Sequence, residues 1–321
     1  MYEYDYKIAV IGGGTGLASI LRGLKKFPID ITAIVTVADD GGSSGNLRNT
    51  LDIPPPGDIR NVLVALSEAE PLVRELFQYR FEEGNGLAGH PTGNLLLAAM
   101  TNITGDFATA VQNLSVVLNV RGRILPVCNE ALCLCAEYED GGFATGESNI
   151  PDDDKKIKRV YYKESCPALE GAVIAVKEAD LVVLAPGSLY TSIIPNLLFS
   201  EMKSAIEDTR AKFVYCCNIM SQPGETTDFT VSQHIKSIED HVGFHFVDSV
   251  LVNDGLIDPD VVQKYENENS TIVDIDHNVL NEMGVNIIQS RMVDYNDARE
   301  VRHDSKKVAA MIFSLLLDDS I

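Results

Sequence analysis

An apolar run at residues 7–11 passes directly into Gly12-Gly13-Gly14-Thr15-Gly16, a helical pattern follows at about 17–26, and a second apolar run fills 31–37. Two strands of one sheet joined through a helix must lie parallel, because the crossover is too long for a hairpin. Further apolar runs at 181–185, 212–217 and 247–252 alternate with helical patterns at 170–178, 194–206 and 230–242. These runs lack the in-out alternation of a half-exposed strand, so helices must cover both faces of the sheet. The chain therefore reads as α/β, with a doubly wound, mostly parallel sheet.

Helical patterns at 59–67, 71–79, 94–102 and 107–119 predict a helical layer, and short segments at 132–138 and 159–162 predict a small β excursion over about 124–162. A short strand at 271–275 and a helix at 305–317 follow. Residues 1–321 are expected to form one domain. No run of 18 apolar residues occurs, which argues against a spanning helix, and the first six residues lack the basic and apolar regions of a secretory signal. The mature chain is expected to start near Met1. The net charge of −21 disfavours nucleic acid and anionic bilayers as partners. The six cysteines (Cys128, Cys133, Cys135, Cys166, Cys216 and Cys217) lack zinc-finger spacing and read as reduced core thiols in a cytoplasmic protein. His241 and His245 fall in a segment that reads as strand, and no metal ligand is assigned.

Open α/β sheets gather ligands at the carboxyl ends of their strands. Gly12, Gly13, Gly14, Thr15 and Gly16 let backbone amides and a helix N-terminus approach an anion. The third glycine of the dinucleotide fingerprint is missing, since Leu17 or Ser19 stands there, and no Gly-x-x-x-x-Gly-Lys-Ser/Thr loop occurs. Asp39 and Asp40 open a polar stretch, 39–58, that is long for a βα connection; they can accept sugar hydroxyls or hold Mg²⁺, and strand alternation would turn only one of them into a cleft. Arg48 and Arg60, with Asp58, flank Pro54-Pro55-Pro56-Gly57 and can clamp phosphates. Gly187 and Ser188 follow the run at 181–185 as phosphate donors. Asn218, Gln222, Gly224, Glu225 and Thr226 follow the run at 212–217 and suit a base or sugar. No catalytic residue is assigned: the Gly-x-Ser-x-Gly elbow is absent, and no histidine is locally tied to a serine or cysteine.

Taken together, Val10 to Gly16, Val37 to Gly45, Pro55 to Asn61, Gly93-Asn94-Leu95, Ala185 to Ser192 and Gln222-Pro223-Gly224-Glu225-Thr226 resemble the bacterial gluconeogenesis factor family (the YvcK or GlmR type), relatives of the phospholactate transferase CofD. The resemblance implies a modified Rossmann-type fold and a cytoplasmic regulator, needed for growth and cell shape on gluconeogenic carbon. Its ligand would be UDP-N-acetylglucosamine, and its partner glucosamine-6-phosphate synthase, so that it tunes carbon flow to cell-wall precursors. Tyr265 and Arg302 resemble family stretches associated with UDP-sugar binding, as a stacking ring and a pyrophosphate fork. Ser305, at the start of the last helix, is a candidate phosphorylation site for a Ser/Thr kinase. No obligate cofactor is expected, with NAD and Mg²⁺ as alternatives, and a homo-oligomer is compatible with the chain. Two other functions compete. A CofD-like phosphoryl transferase shares the glycine turn and Asp39-Asp40, yet Glu225 would put an anion where phosphoryl transfer needs positive charge. An NAD-dependent oxidoreductase lacks the third glycine and an evident hydride-transfer acid.

Overall fold

A computed structural model of the chain describes residues 6–68, 71–82 and 87–317. The reading of the first residues as lacking a signal falls mostly outside that range. In chain order the elements begin with β1 (Lys7–Gly12), α1 (Gly14–Leu24), β2 (Asp30–Val35), α2 (Gly42–Leu51), α3 (Gly57–Leu66), α4 (Pro71–Gln78), α5 (Thr92–Thr104) and α6 (Phe107–Val117). There follow β3 (Arg123–Pro126), β4 (Leu134–Tyr138), β5 (Phe143–Thr145), β6 (Ile157–Tyr162), α7 (Glu170–Lys177), β7 (Leu181–Leu184), α8 (Ser200–Asp208), β8 (Lys212–Cys216), α9 (Val231–Val242) and β9 (Ser249–Asn253). The last part holds α10 (Pro259–Glu266), α11 (His277–Glu282), β10 (Asn286–Ser290), β11 (Val293–Tyr295), β12 (Val301–His303) and α12 (Ser305–Leu317).

Seven strands form one parallel sheet in the order β10-β9-β8-β7-β1-β2-β3. Side chains alternate across it: Ile8 and Val10 of β1 enter one core, with α1, α3 and α12, while Ala9 and Ile11 enter the other, with α7, α8 and α9. The doubly wound α/β class read from the sequence is this architecture. Strand order reverses between β1 and β7, so the loops after these two strands diverge and leave a crevice.

Several expected elements differ. The polar stretch at 39–58 contains a helix, α2, although Gly42-Ser43-Ser44-Gly45-Asn46 has poor helix propensity. Tertiary contacts hold it: Leu47 packs with Ile53 and Ala98, and Asn94 Nδ2 donates to Ser43 Oγ at 3.0 Å. The helix expected at 194–206 is split, with a wide turn at Leu189–Ile193, a tight one at Ile194–Leu197 and only then α8, because Pro195 cannot donate to a continuous ladder. The β excursion starts later than 124: β3 is the edge of the main sheet, and β5-β4-β6 form a separate antiparallel sheet. Residues 271–275 form no strand but a bridge, Met220 to Ile272. His241 closes α9 and His245 follows it, so neither lies in a strand. The cysteines are free, four of them buried. Among the described residues, no helix is long and apolar enough to cross a membrane, and no group of three or more His, Cys, Asp or Glu side chains is arranged to hold a metal.

The C-terminal helix is pressed onto α1 at Gly23, where an added Cβ would lie 2.0 Å from the Ser305 carbonyl oxygen and 2.7 Å from Ala309 Cβ. Because the first obstacle is backbone, Gly23→Ala is expected to lower stability by about 2–3 kcal/mol. Urea denaturation should show the midpoint shifting with an unchanged m-value.

Candidate functional site

The crevice at the strand-order reversal is a cleft of about 450 Å³, a size suited to a nucleotide-scale molecule. One wall is the glycine turn, Gly13 to Gly16 with Ser19, and the floor is Pro186 to Ser188 and Asn218 to Pro223. Gly16 is required for closure there, because a Cβ would lie 2.0 Å from the Pro186 carbonyl oxygen. The far wall arrives from the C-terminal part of the chain: Tyr265 from α10, Glu268 and Ser270 after it, and Val301, Arg302 and His303 from β12. The Tyr265 hydroxyl accepts the Val301 N–H at 3.0 Å, which ties the ring to the strand that carries Arg302.

Many of the expected donors are already committed. The Asn218 side chain clasps Gly187, accepting its N–H at 3.0 Å and donating to its carbonyl at 2.8 Å. The Ser188 hydroxyl donates to the Glu225 carboxylate at 2.7 Å, and the Tyr190 N–H joins it at 3.2 Å. Glu225 is therefore buried and turned away from the cleft. Thr226 is fully buried, its Oγ1 accepting the Gln222 N–H at 2.9 Å, and Gly224 packs on the backbone of Pro151 and Asp152. The Gly14 N–H is taken by the Asp58 carboxylate, which thereby caps α1 from outside the cleft. What remains for a ligand includes the hydroxyls of Thr15, Ser19 and Ser192, the Gln222 side chain, the Tyr265 face and the Arg302 guanidinium, which also bonds Glu300 and the Val301 carbonyl. Among the described residues, Arg302 is the one cation lining the cleft, and Glu268 the one carboxylate. His303 donates to the Cys217 carbonyl, and burial pushes its pKa down to about 4, so it is neutral at pH 7. Ser19 escaped the sequence reading because no local motif marks it, whereas Ser192 and His303 lie within stretches that carry the resemblance but have no role assigned to them there.

Arg48, Arg60, Asp39, Asp40 and Asp58 do not line this cleft but gather on the β2 side of Gly13. Strand alternation does not govern the acid pair, since β2 ends at Val35. Asp39 accepts the Gly41 N–H at 3.0 Å and Asp40 accepts the Ser148 N–H at 2.9 Å. Glu147 was not anticipated, and both aspartates face it electrostatically, with Glu225 behind. Burial first, then these like charges, raise the Glu147 carboxyl to about 7, and burial raises Asp58 to about 6. Arg60 donates to Asn61 Oδ1 at 2.9 Å and Arg48 lies within electrostatic reach of Tyr162. Ser305 opens α12, whose first amides, those of Lys306 and Lys307, already bond the Asp304 carboxylate.

Comparison with known proteins adds a second line of observation. The family profile described as 2-phospho-L-lactate transferase CofD matches residues 8–293. A protein called gluconeogenesis factor in Bacillus subtilis is 54% identical over 97% of this chain and 98% of its own length. One of the same name from Listeria monocytogenes is 45% identical over 98% of this chain and 97% of its own. A crystal structure of a protein from Bacillus halodurans superposes with a TM-score of 0.93 at 52% identity, covering 96% of this chain and 99% of that one.

The raised Glu147 carboxyl makes stability fall as pH rises, since the folded state holds its proton more tightly than the unfolded chain. Its stabilising contribution is complete below about 4.5 and is lost through about 7. Glu147→Gln is therefore expected to be more stable than wild type at pH 8 by about 1–2 kcal/mol, discounted for partial exposure, with no advantage at pH 4. Thermal melts from pH 4 to 8 check this; equal pH slopes in the two proteins would remove Glu147 as the cause.

Proposed function

This chain belongs to the gluconeogenesis factor family of CofD-like proteins, and from that premise we propose that it is a binding protein for a nucleotide sugar, UDP-N-acetylglucosamine, held between the glycine turn and the Tyr265–Arg302 wall. The observation carrying this reading is the convergence of Gly14 to Gly16, Gln222, Tyr265 and Arg302 on one cleft although they are far apart in the chain. The Tyr265 ring is suited to stack on the uracil, and Arg302 to hold the pyrophosphate through two parallel N–H bonds. Thr15, Ser19 and Ser192 supply hydroxyls for ribose and sugar.

On this reading the protein works by sensing rather than by turnover. Among the described residues Arg302 is the one cation on the cleft; paired with Glu300 and facing Glu268 it can position a diphosphate, yet it is sparse compensation for the charge that develops in phosphoryl transfer. Glu225 no longer counts against the transferase, because it bonds Ser188 instead of facing the cleft. The bound state would then be read in the cytoplasm by a partner, glucosamine-6-phosphate synthase, so that carbon entering cell-wall precursors on gluconeogenic growth follows the nucleotide-sugar level. Phosphorylation of Ser305 by a Ser/Thr kinase would act on the wall that carries Arg302. Neither NAD nor Mg²⁺ is needed for this role.

Titration calorimetry with UDP-N-acetylglucosamine tests it, the chain having no tryptophan for fluorescence. Saturable binding without turnover is expected, weakened at least about tenfold in Arg302→Ala, equivalent to about 1.4 kcal/mol, and about three- to tenfold in Tyr265→Ala. Preference for GDP with consumption of a guanylylated donor would instead establish the transferase.

A further inference from the structure

A second concavity, of about 460 Å³, lies at the opposite end of α1 from the glycine turn, between α1, α3 and α4. Arg22, Lys25 and Lys26 enter it from the end of α1 and Arg74 from α4, with Glu75 and Gln78 also on its wall. Four cations thus converge in a chain whose net charge is −21. They are poorly neutralised among the described residues. The charged group acting on Arg22 is Arg74, and Lys25 feels Arg74, Arg22 and Lys26 against Glu68 alone. Lys25 also donates to the Ser67 carbonyl at 2.7 Å. Confinement and like charge pull both Arg22 and Lys25 below their ordinary pKa range. The carbonyl end of α1 accounts for cations in and just after its last turn, but it does not account for Arg74, which stands in the middle of α4 and adds repulsion.

We propose that this concavity is a second anion site, taking a small phosphate compound of at least two negative charges, such as a diphosphate. Arginines arriving from two helices present forks to phosphate oxygens, and the lysines add point charge around them. The volume matches a small molecule, and the acidic remainder of the surface repels an extended polyanion or a lipid surface. Eleven residues of α1, roughly 16 Å, separate it from the glycine turn, so one small ligand does not fill both. The assignment is independent of the nucleotide-sugar reading.

The probe is inorganic pyrophosphate, titrated by calorimetry into the full chain in metal-free, low-salt buffer. Wild type and Arg302→Ala are both expected to bind it saturably. The Arg22→Gln/Arg74→Gln double variant should lose at least about tenfold in affinity while melting higher than wild type without ligand, because the repulsion is relieved. No saturable heat in wild type would overturn the proposal, as would undiminished binding in the double variant or loss of all binding in Arg302→Ala. Equal competition by sulfate would reduce the cluster to a non-selective counter-ion patch and likewise overturn it.

Discussion

Everything at the site depends on one close approach, Gly16 of α1 beneath the carbonyl of Pro186, where no side chain has room. That contact locks the β1 loop to the β7 loop at the point where strand order reverses. Helix α1 can then lie against the sheet while its first turn still opens on the crevice. A second close approach, Gly23 against Ser305, brings α12 onto the other end of the same helix. The strand that carries Arg302 leads directly into α12, so α1 also anchors the far wall of the cleft.

The polar interior of the site is spent largely on itself. Asn218 clasps Gly187, Glu225 holds Ser188 and the Tyr190 amide, and Asp58 takes the Gly14 amide. Such bonds fix loops whose backbone polar groups would otherwise be costly to bury. The consequence is a cleft with a rigid floor and few charges. Among the described residues, what the cleft still presents is chiefly hydroxyls, one aromatic face and a guanidinium shared with Glu300 and the Val301 carbonyl.

The parallel sheet was legible because its strands are buried on both faces and therefore appear as unbroken apolar runs bounded by glycine and polar loops. The exceptions have physical causes. Helix α2 has a sequence that disfavours helix and is held by Leu47, Ile53 and Ala98. Strand β10, Asn286–Ser290, is an edge strand whose residues are only half-buried or exposed, so its pattern is weak. The hairpin β11–β12 has three residues a side, too few for a periodicity to register.

Within the site, residue type and loop position were readable, while direction was not. Glu225 and Thr226 sit in the loop expected from the sequence, yet they point inward because the Ser188 hydroxyl, the Tyr190 amide and a tight turn engage them. Glu147 became part of the acid group only because the β5 turn folds back over Asp39 and Asp40. The sequence by itself determined the α/β class, the parallel order of the first strands and the loops from which a ligand would be met, since burial pattern and turn chemistry are local. Only the tertiary structure decided which donors stay free, which acids share a field and which cations face one another across Arg22 and Arg74, because those depend on through-space distances that no stretch of chain encodes.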